Sequence, residues 1–409
     1  MGIDLGSSEI KCGIGVEGNG YYDIIAAQSV PSVGIVEGRI EQVDALQETL
    51  QEVIARTVSA AGYDTPPPVS FCLSSQHYYI STTEEEIRFR HGRVTHEDVL
   101  TLIKQAHREP RLNEYQLTQL VPQSFWIDGE KGSLSPWGQP AARLMVQGCL
   151  FFAHQPQLEL ILQLADSLGL EVIDIFCDLL VQAEGSLLRS ELEGQVALLD
   201  IGSGSLKMMF FEEGRPKHFL VQREGSHRIN QELQKKIGIE AQEAEWLKRT
   251  VGQLQDVGDE QKRVRLQGGG PSRAVRTEHL NRIISRVVTE MLSALRVRLD
   301  EEGLGDLLSG GIVLTGGGAL LPGLIPLAES ILRAPVRLGT PVNTGTCSLV
   351  KLSPYSALNG LILATLFGRS DNWFSSWQNP PRKIKDPLRQ QAKKGRDQAL
   401  LRRLFKGWD

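Results

Sequence analysis

The stretch Val196–Glu213, VALLDIGSGSLKMMFFEE, decides the fold, because a pattern of the same kind already stands at Gly2–Val16, GIDLGSSEIKCGIGV. In the later copy Ala197, Leu198 and Leu199 lead to Asp200. Then come Gly202, Ser203, Gly204 and Ser205, and a second apolar run from Leu206 to Phe211. In the earlier copy Asp4 precedes Gly6, Ser7 and Ser8, and Lys11 lies in the run that follows. Each copy predicts a β-hairpin whose turn is made of glycine and serine, residues that tolerate unusual backbone angles and let a ligand come close to the main chain. Successive N–H groups in such a turn form an anion nest, and an aspartate ending the preceding strand can hold Mg²⁺ through water. One D-x-G-S turn alone reads as an ordinary hairpin. Two of them, followed by the glycine turn VLTGGGALLPG at Val313–Gly323, predict a clamp on the phosphates of one nucleotide.

That order of three loops, at the start, middle and last quarter of the chain, resembles the actin-like ATPase superfamily. The resemblance implies an α/β fold of two lobes with ATP and Mg²⁺ between them. It assigns Gly6, Ser7 and Ser8 to the first phosphate turn, with Lys11 facing a phosphate. Gly202, Ser203, Gly204 and Ser205 become the opposing turn, and Asp4 and Asp200 hold Mg²⁺ through water. Gly225, in REGSH, is implied to approach the phosphates. Glu245, Lys248 and Arg249, in AEWLKRT, fall on one helix face where the superfamily binds ribose and adenine; by spacing alone they fit a solvated charged face equally well. Gly316, Gly317 and Gly318 would carry the backbone beneath the nucleotide. One departure matters, since Ser203 and Ser205 stand where the superfamily has Gly and Thr, and Lys207 where it has an aspartate. Losing a carboxylate and gaining a cation favours holding phosphates over organising Mg²⁺ and an attacking water. The candidate general base is Asp178, near the connecting helix.

Bulk properties set the frame. With 409 residues the chain can build two or more domains, each with a core. A net charge of −5 gives no reason to expect nucleic-acid binding. The five cysteines are scattered, mostly in apolar runs and without a C-x-x-C pair, which predicts reduced core thiols. No signal peptide is expected before Gly2. No apolar run reaches the roughly 20 residues that a membrane-spanning helix needs, so any membrane contact is expected at the surface.

Between the first two loops, Asp44–Ala61 has helical spacing, and Val69–Leu73 is a short buried-strand run. Strand-like runs at Tyr78–Phe89, Leu117–Asp128 and Arg143–Ala153 then surround one helix, Thr95–Ala106, which Thr95 could cap. This small α+β insert resembles the one that distinguishes the family of the bacterial division protein FtsA. The likeness is carried by VTHEDVLTLIKQA, QLVPQSFWIDG and ARLMVQGCLFFAH, and before them by VPSVGIVEGRIEQVDALQETLQEVI. The implied organisation has a first-lobe nucleotide subdomain at 1–76 and 156–195, with the insert at 77–155. The second lobe has its nucleotide subdomain at 196–224 and 304–369 and a small, mainly helical subdomain at 225–303. Helices at Pro322–Leu332 and Pro354–Phe367 are expected to pack on that second lobe.

A polar linker at 370–391 precedes the tail, 392–409, where Leu400, Leu401, Leu404, Phe405 and Trp408 share one helical face, while Arg402, Arg403 and Lys406 point elsewhere. From Arg382 onward ten basic and three acidic residues give a local balance of +7. An apolar face with basic flanks suits an anionic lipid surface, although a terminal helix can also dock on its own domain. FtsA resemblance implies ATP binding, self-assembly into actin-like filaments and tethering of the FtsZ C-terminal tail. It also implies recruitment of later division proteins at the cytoplasmic face of the membrane, at the septum. The Thr277–Asp300 helix, with Arg282, Arg286, Glu290, Arg296 and Arg298, is a candidate face for the acidic FtsZ tail. Two other readings of the same fold are a PilM-like scaffold of pilus assembly and a soluble small-molecule kinase; neither uses the tail.

Overall fold

The computed structural model describes residues 1–17, 22–106, 114–132, 136–254, 262–266, 274–341, 347 and 349–367. The stretch expected to be a linker and a membrane-binding helix, including Leu400, Leu401, Arg402, Arg403, Leu404, Phe405, Lys406 and Trp408, lies outside the described residues.

Both duplicated stretches form hairpins, and each hairpin seeds a sheet of the same topology. Gly2–Leu5 pairs antiparallel with Glu9–Glu17, and Gln195–Ile201 with Leu206–Glu212. On the hairpin's outer side an antiparallel strand is added, Tyr22–Pro31 in the first lobe and Arg215–Gln222 in the second. On its inner side come two parallel strands, Val69–Leu73 then Val172–Cys177, or Ile312–Thr315 then Val336–Leu338. The result is two five-stranded mixed sheets whose strands Gly2–Leu5, Val69–Leu73 and Ile312–Thr315 are buried along their length. Burial on both faces is why those strands read as continuous apolar runs.

Helices cover the sheets through the stripes their spacing foretold. Val43–Ala60 turns Leu46, Leu50, Val53, Ile54 and Val58 to the first-lobe core. The 25-residue helix Thr277–Glu301 buries Leu280, Ile284, Val287, Met291 and Leu295 in the second. The helices His227–Ile237 and Ala241–Thr250 pack beside it. Next to these helices Arg263–Arg265 and Ala274–Arg276 form a short antiparallel pair.

The insert is an antiparallel sheet in the order Tyr78–Arg88, Arg143–His154, Tyr115–Ile127, Glu130–Lys131, backed by the helix His96–Ala106. It has a core of its own, built on Leu102, Leu117, Phe125, Leu144, Leu150 and Phe152. Thr95 caps the helix reciprocally. Asp98 N–H donates to Thr95 Oγ1 at 3.3 Å, and Asp98 Oδ2 accepts from Thr95 N–H at 2.7 Å.

One placement differs from the expectation. The helix Ser356–Phe367 does not pack on the second lobe; it returns to the first. Leu358, Leu361 and Ile362 lie against Gly2, Gly13 and Gly15 of the first hairpin, where a side chain on the strands would hold the helix off. It also crosses the helix Asp178–Ser186 backbone to backbone. A Cβ on Gly360 would overlap the Val181 carbonyl, and one on Gly185 the Ser356 carbonyl. Asn359 fixes the crossing by accepting from Tyr22 Oη at 2.9 Å and donating to the Gly185 carbonyl at 3.2 Å. The chain therefore passes between lobes twice, once through Asp178–Ser186 and once here.

Candidate functional site

The matching sheets face each other across a cleft of about 240 Å³ lined by all three glycine loops. Asp4, Gly6, Ser7, Ser8 and Lys11 come from the first hairpin, and Asp200, Gly202, Ser203, Gly204, Ser205 and Lys207 from the second. Gly316, Gly317 and Gly318 form its third wall, Glu245, Lys248 and Arg249 its mouth, and Asp178 its floor. Of the residues expected to bind nucleotide or metal or to act as base, among those described only Gly225 is not part of the lining. It packs behind the second turn, where a Cβ would collide with the main chain of Ser203 and Ser205, so it shapes that turn from the rear. The third loop needs its glycines for a similar reason. Gly316 sits at φ 83°, and side chains on Gly316 or Gly318 would run into Asp200 or Ile201. Gly317, in contrast, has open space where its Cβ would be.

The floor holds three carboxylates and two ammonium groups, all buried. Lys207 Nζ lies between Asp200 Oδ2, at 2.7 Å, and Asp178 Oδ2, which it touches still more closely. Asp178 begins the helix that joins the lobes, and its other oxygen accepts from Ser75 N–H at 2.7 Å and Leu179 N–H at 2.8 Å. Three of the carboxylate's roughly four acceptor sites are thereby engaged, so Asp178 lies at the expected place but is committed chiefly to holding Lys207 and the main chain of Ser75 and Leu179. Lys11 Nζ stands 3.4 Å from Asp4 Oδ2 and 5.8 Å from the centre of the Tyr355 ring. Burial pushes the Asp4 carboxyl above its ordinary range, and Lys11 pulls only partly the other way. For both lysines burial works against the charge, but the neighbouring carboxylates outweigh it and hold the ammonium pKa values above the ordinary value.

The donor set can be tested against the two expected cofactors. A nucleoside triphosphate fits: two glycine–serine turns and two cations converge on one cleft, and the third loop brings bare backbone to it. A divalent ion at Asp200 does not fit, because Lys207 already occupies the position between Asp200 and Asp178.

The mouth is set by ion pairs that the helical spacing only hinted at. Lys248 Nζ is 2.5 Å from Glu245 Oε2, which also accepts from Asn230 Nδ2 at 2.6 Å. Burial lowers the Lys248 ammonium's pKa, and Glu245 only partly offsets this. Arg249 reaches across the cleft to Glu9 Oε1 at 2.8 Å. Glu9 and Lys207 thus join the site. Glu9 lies just beyond the first turn, but nothing in the sequence pairs it with a residue 240 positions later. Deeper in, Thr315 Oγ1 donates to Gln182 Oε1 at 2.7 Å, a further contact between the lobes.

The arginines suggested as a docking face on the long helix are partnered. Arg282 pairs with Glu278, Arg286 with Glu232, and Arg296 and Arg298 with Asp300 and Glu302. All five cysteines are free, as expected, and four are buried. Among the described residues no helix is long and apolar enough to cross a membrane.

Comparison with known proteins agrees with this architecture. Residues 197–366 match the family model described as cell division protein FtsA, and residues 75–151 that of the SHS2 domain inserted in FtsA. The chain is 26% identical to cell division protein FtsA of Escherichia coli K12 over 88% of its length and 89% of that protein's. It is also 26% identical to that of Bacillus subtilis 168, over 83% and 78%. Among solved structures the PilM–PilN type IV pilus biogenesis complex shares the fold at TM-score 0.62 and 18% identity, covering 88% of this chain and 97% of that one. MreB 5 of Spiroplasma citri, solved with AMPPNP, does so at TM-score 0.54 and 15% identity, over 89% and 94%.

Proposed function

The chain belongs to the family of the bacterial cell-division protein FtsA, and from that premise we propose that it binds ATP between its lobes and links FtsZ filaments to the cytoplasmic face of the membrane at the septum. The observation that carries the ATP reading is the convergence of three glycine loops and two buried lysines on one cleft. When bound, ATP would supply the polyphosphate charge that Lys11 and the two turns face, and would bridge the lobes. Lys248 and Glu245 are suited to the sugar and base at the mouth. Bound nucleotide then sets the relative position of the lobes, and with it the surfaces through which copies of the chain stack into a filament. Asp178 holds Lys207 in place rather than activating water, so the reading is of a nucleotide-dependent scaffold with weak or absent hydrolysis. The expectation of Mg²⁺ on Asp200 gives way to Lys207.

Attachment is assigned to the amphipathic tail, and FtsZ contact to the small helical subdomain of the second lobe. Because each of the long helix's arginines has an acidic partner, an acidic FtsZ tail would have to displace Glu278, Glu232, Asp300 or Glu302 to use them. Self-assembly and recruitment of later division proteins follow the family. The test is co-sedimentation of the full chain with anionic vesicles, ATP and FtsZ, against a chain ending at Gln391. FtsZ should pellet with vesicles only when the full chain is present. If both chains leave FtsZ in the supernatant, the tether reading fails, and a scaffold of the PilM kind, attached through a protein partner, takes its place.

A further inference from the structure

Lys207 marks a departure from metal-assisted nucleotide binding that the geometry makes specific. Three carboxylates, Asp4, Asp178 and Asp200, share the cleft floor with two ammonium groups, Lys11 and Lys207, which leaves a local charge of −1. Without Lys207 the same floor would carry −2. With an aspartate in its place it would carry −3, a charge that must recruit a divalent cation before a polyphosphate can enter. Lys207 is 6% exposed, and its two partners are 5% and 3% exposed, so its charge acts in a largely water-free setting. Its position is rigid as well as charged. It sits on the central hairpin of the second lobe and contacts the first residue of the helix from the first lobe. Asp178 is in turn held by two main-chain N–H groups.

We propose that Lys207 is a built-in cation that replaces the divalent ion of the site, so that this protein binds ATP as the metal-free tetra-anion. The inference rests on the ATP-binding reading above. It deepens that reading by naming the ligand's form, free ATP rather than a magnesium complex. It also gives the site a lobe-to-lobe bridge that persists without metal, since the Lys207 ammonium joins Asp200 of one lobe to Asp178 of the connecting helix.

The experiment is calorimetric titration of the full chain with ATP, once in buffer with Mg²⁺ and once with excess EDTA. Affinity in the two buffers should agree within about threefold. The Lys207→Asp variant, checked for folding by its melting curve, should bind ATP at least about tenfold more weakly in EDTA than in Mg²⁺. If the unaltered chain loses about tenfold or more when Mg²⁺ is chelated, the built-in cation is refuted while ATP binding stands. The same holds if Lys207→Asp is as indifferent to Mg²⁺ as the unaltered chain. Absence of ATP binding in both buffers instead overturns the nucleotide reading, and this inference with it. The comparison on the unaltered chain needs no variant, so a Lys207→Asp chain that fails to fold leaves the test intact.

Discussion

Replacing Lys207 by methionine removes one ammonium group and keeps most of the side-chain volume, so its effect isolates the charge. In the native floor the ammonium bridges Asp178 and Asp200, both almost fully buried. Breaking a buried pair by deleting one partner costs about 3–5 kcal/mol, because the remaining charge is left without compensation. Here two carboxylates are stranded, but Asp178 keeps two N–H donors, which places the expected loss near 4 kcal/mol. For a lobe of this size that is a fall in Tm of roughly 10 °C. The pH dependence has a definite sign. In the native chain burial opposes the Lys207 charge, yet Asp178 and Asp200 hold its pKa above the ordinary 10.5. Its contribution is therefore complete below 10.5 and fades only as pH rises past the folded value. In the variant the two buried carboxylates face each other without a cation, so the stability they cost grows with pH as both become charged. The Tm deficit of Lys207→Met should then be larger at about pH 8 than at about pH 5. Adding Asp200→Asn should restore at least half of it. Melting curves of the single and double variants at the two pH values decide the matter. A deficit below about 2 °C at about pH 8, or one that does not change with pH, would refute the reasoning.

Three further outcomes are expected. Gly360→Ala forces a methyl group into the Val181 carbonyl at the helix crossing and should destabilise by about 1–3 kcal/mol or more, read as a lower Tm; an unchanged Tm would mean that the crossing relaxes freely. Glu184 is partly buried, and the loss of water around it raises its carboxyl pKa to about 7 from an ordinary 4.5, so native stability is complete below 4.5 and declines as pH rises through about 7. Glu184→Gln should flatten that decline, by up to about 3 kcal/mol at alkaline pH, and parallel Tm-versus-pH curves for the two chains would rule it out. Arg249→Ala opens the bridge to Glu9 at the cleft mouth. Because Arg249 is more than half exposed, stability should change by less than about 1 kcal/mol, while ATP dissociation measured by stopped flow accelerates several-fold.

What could be read from the residues in order is what local physics controls. Hairpin turns of glycine and serine, the apolar stripe of Val43–Ala60, the Thr95 cap and the insert's strands depend on neighbours within a few positions, and they stand where the sequence places them. The three glycine loops were legible for the same reason, and their repetition suggested one cleft. Ser356–Phe367 was not placed correctly, because a helix apolar on nearly every side names no preferred face. Its seat on the first lobe depends on glycines at positions 2, 13, 15 and 185, far away in the chain. Asp178 was found as a candidate, but not that its oxygens are taken by Ser75, Leu179 and Lys207. The sequence alone determined that Lys207 stands in a phosphate loop where a carboxylate was expected, since residue identity and register in a hairpin are local facts. Only the tertiary structure decided that this ammonium sits between carboxylates from two lobes, because that position is set by how the lobes pack.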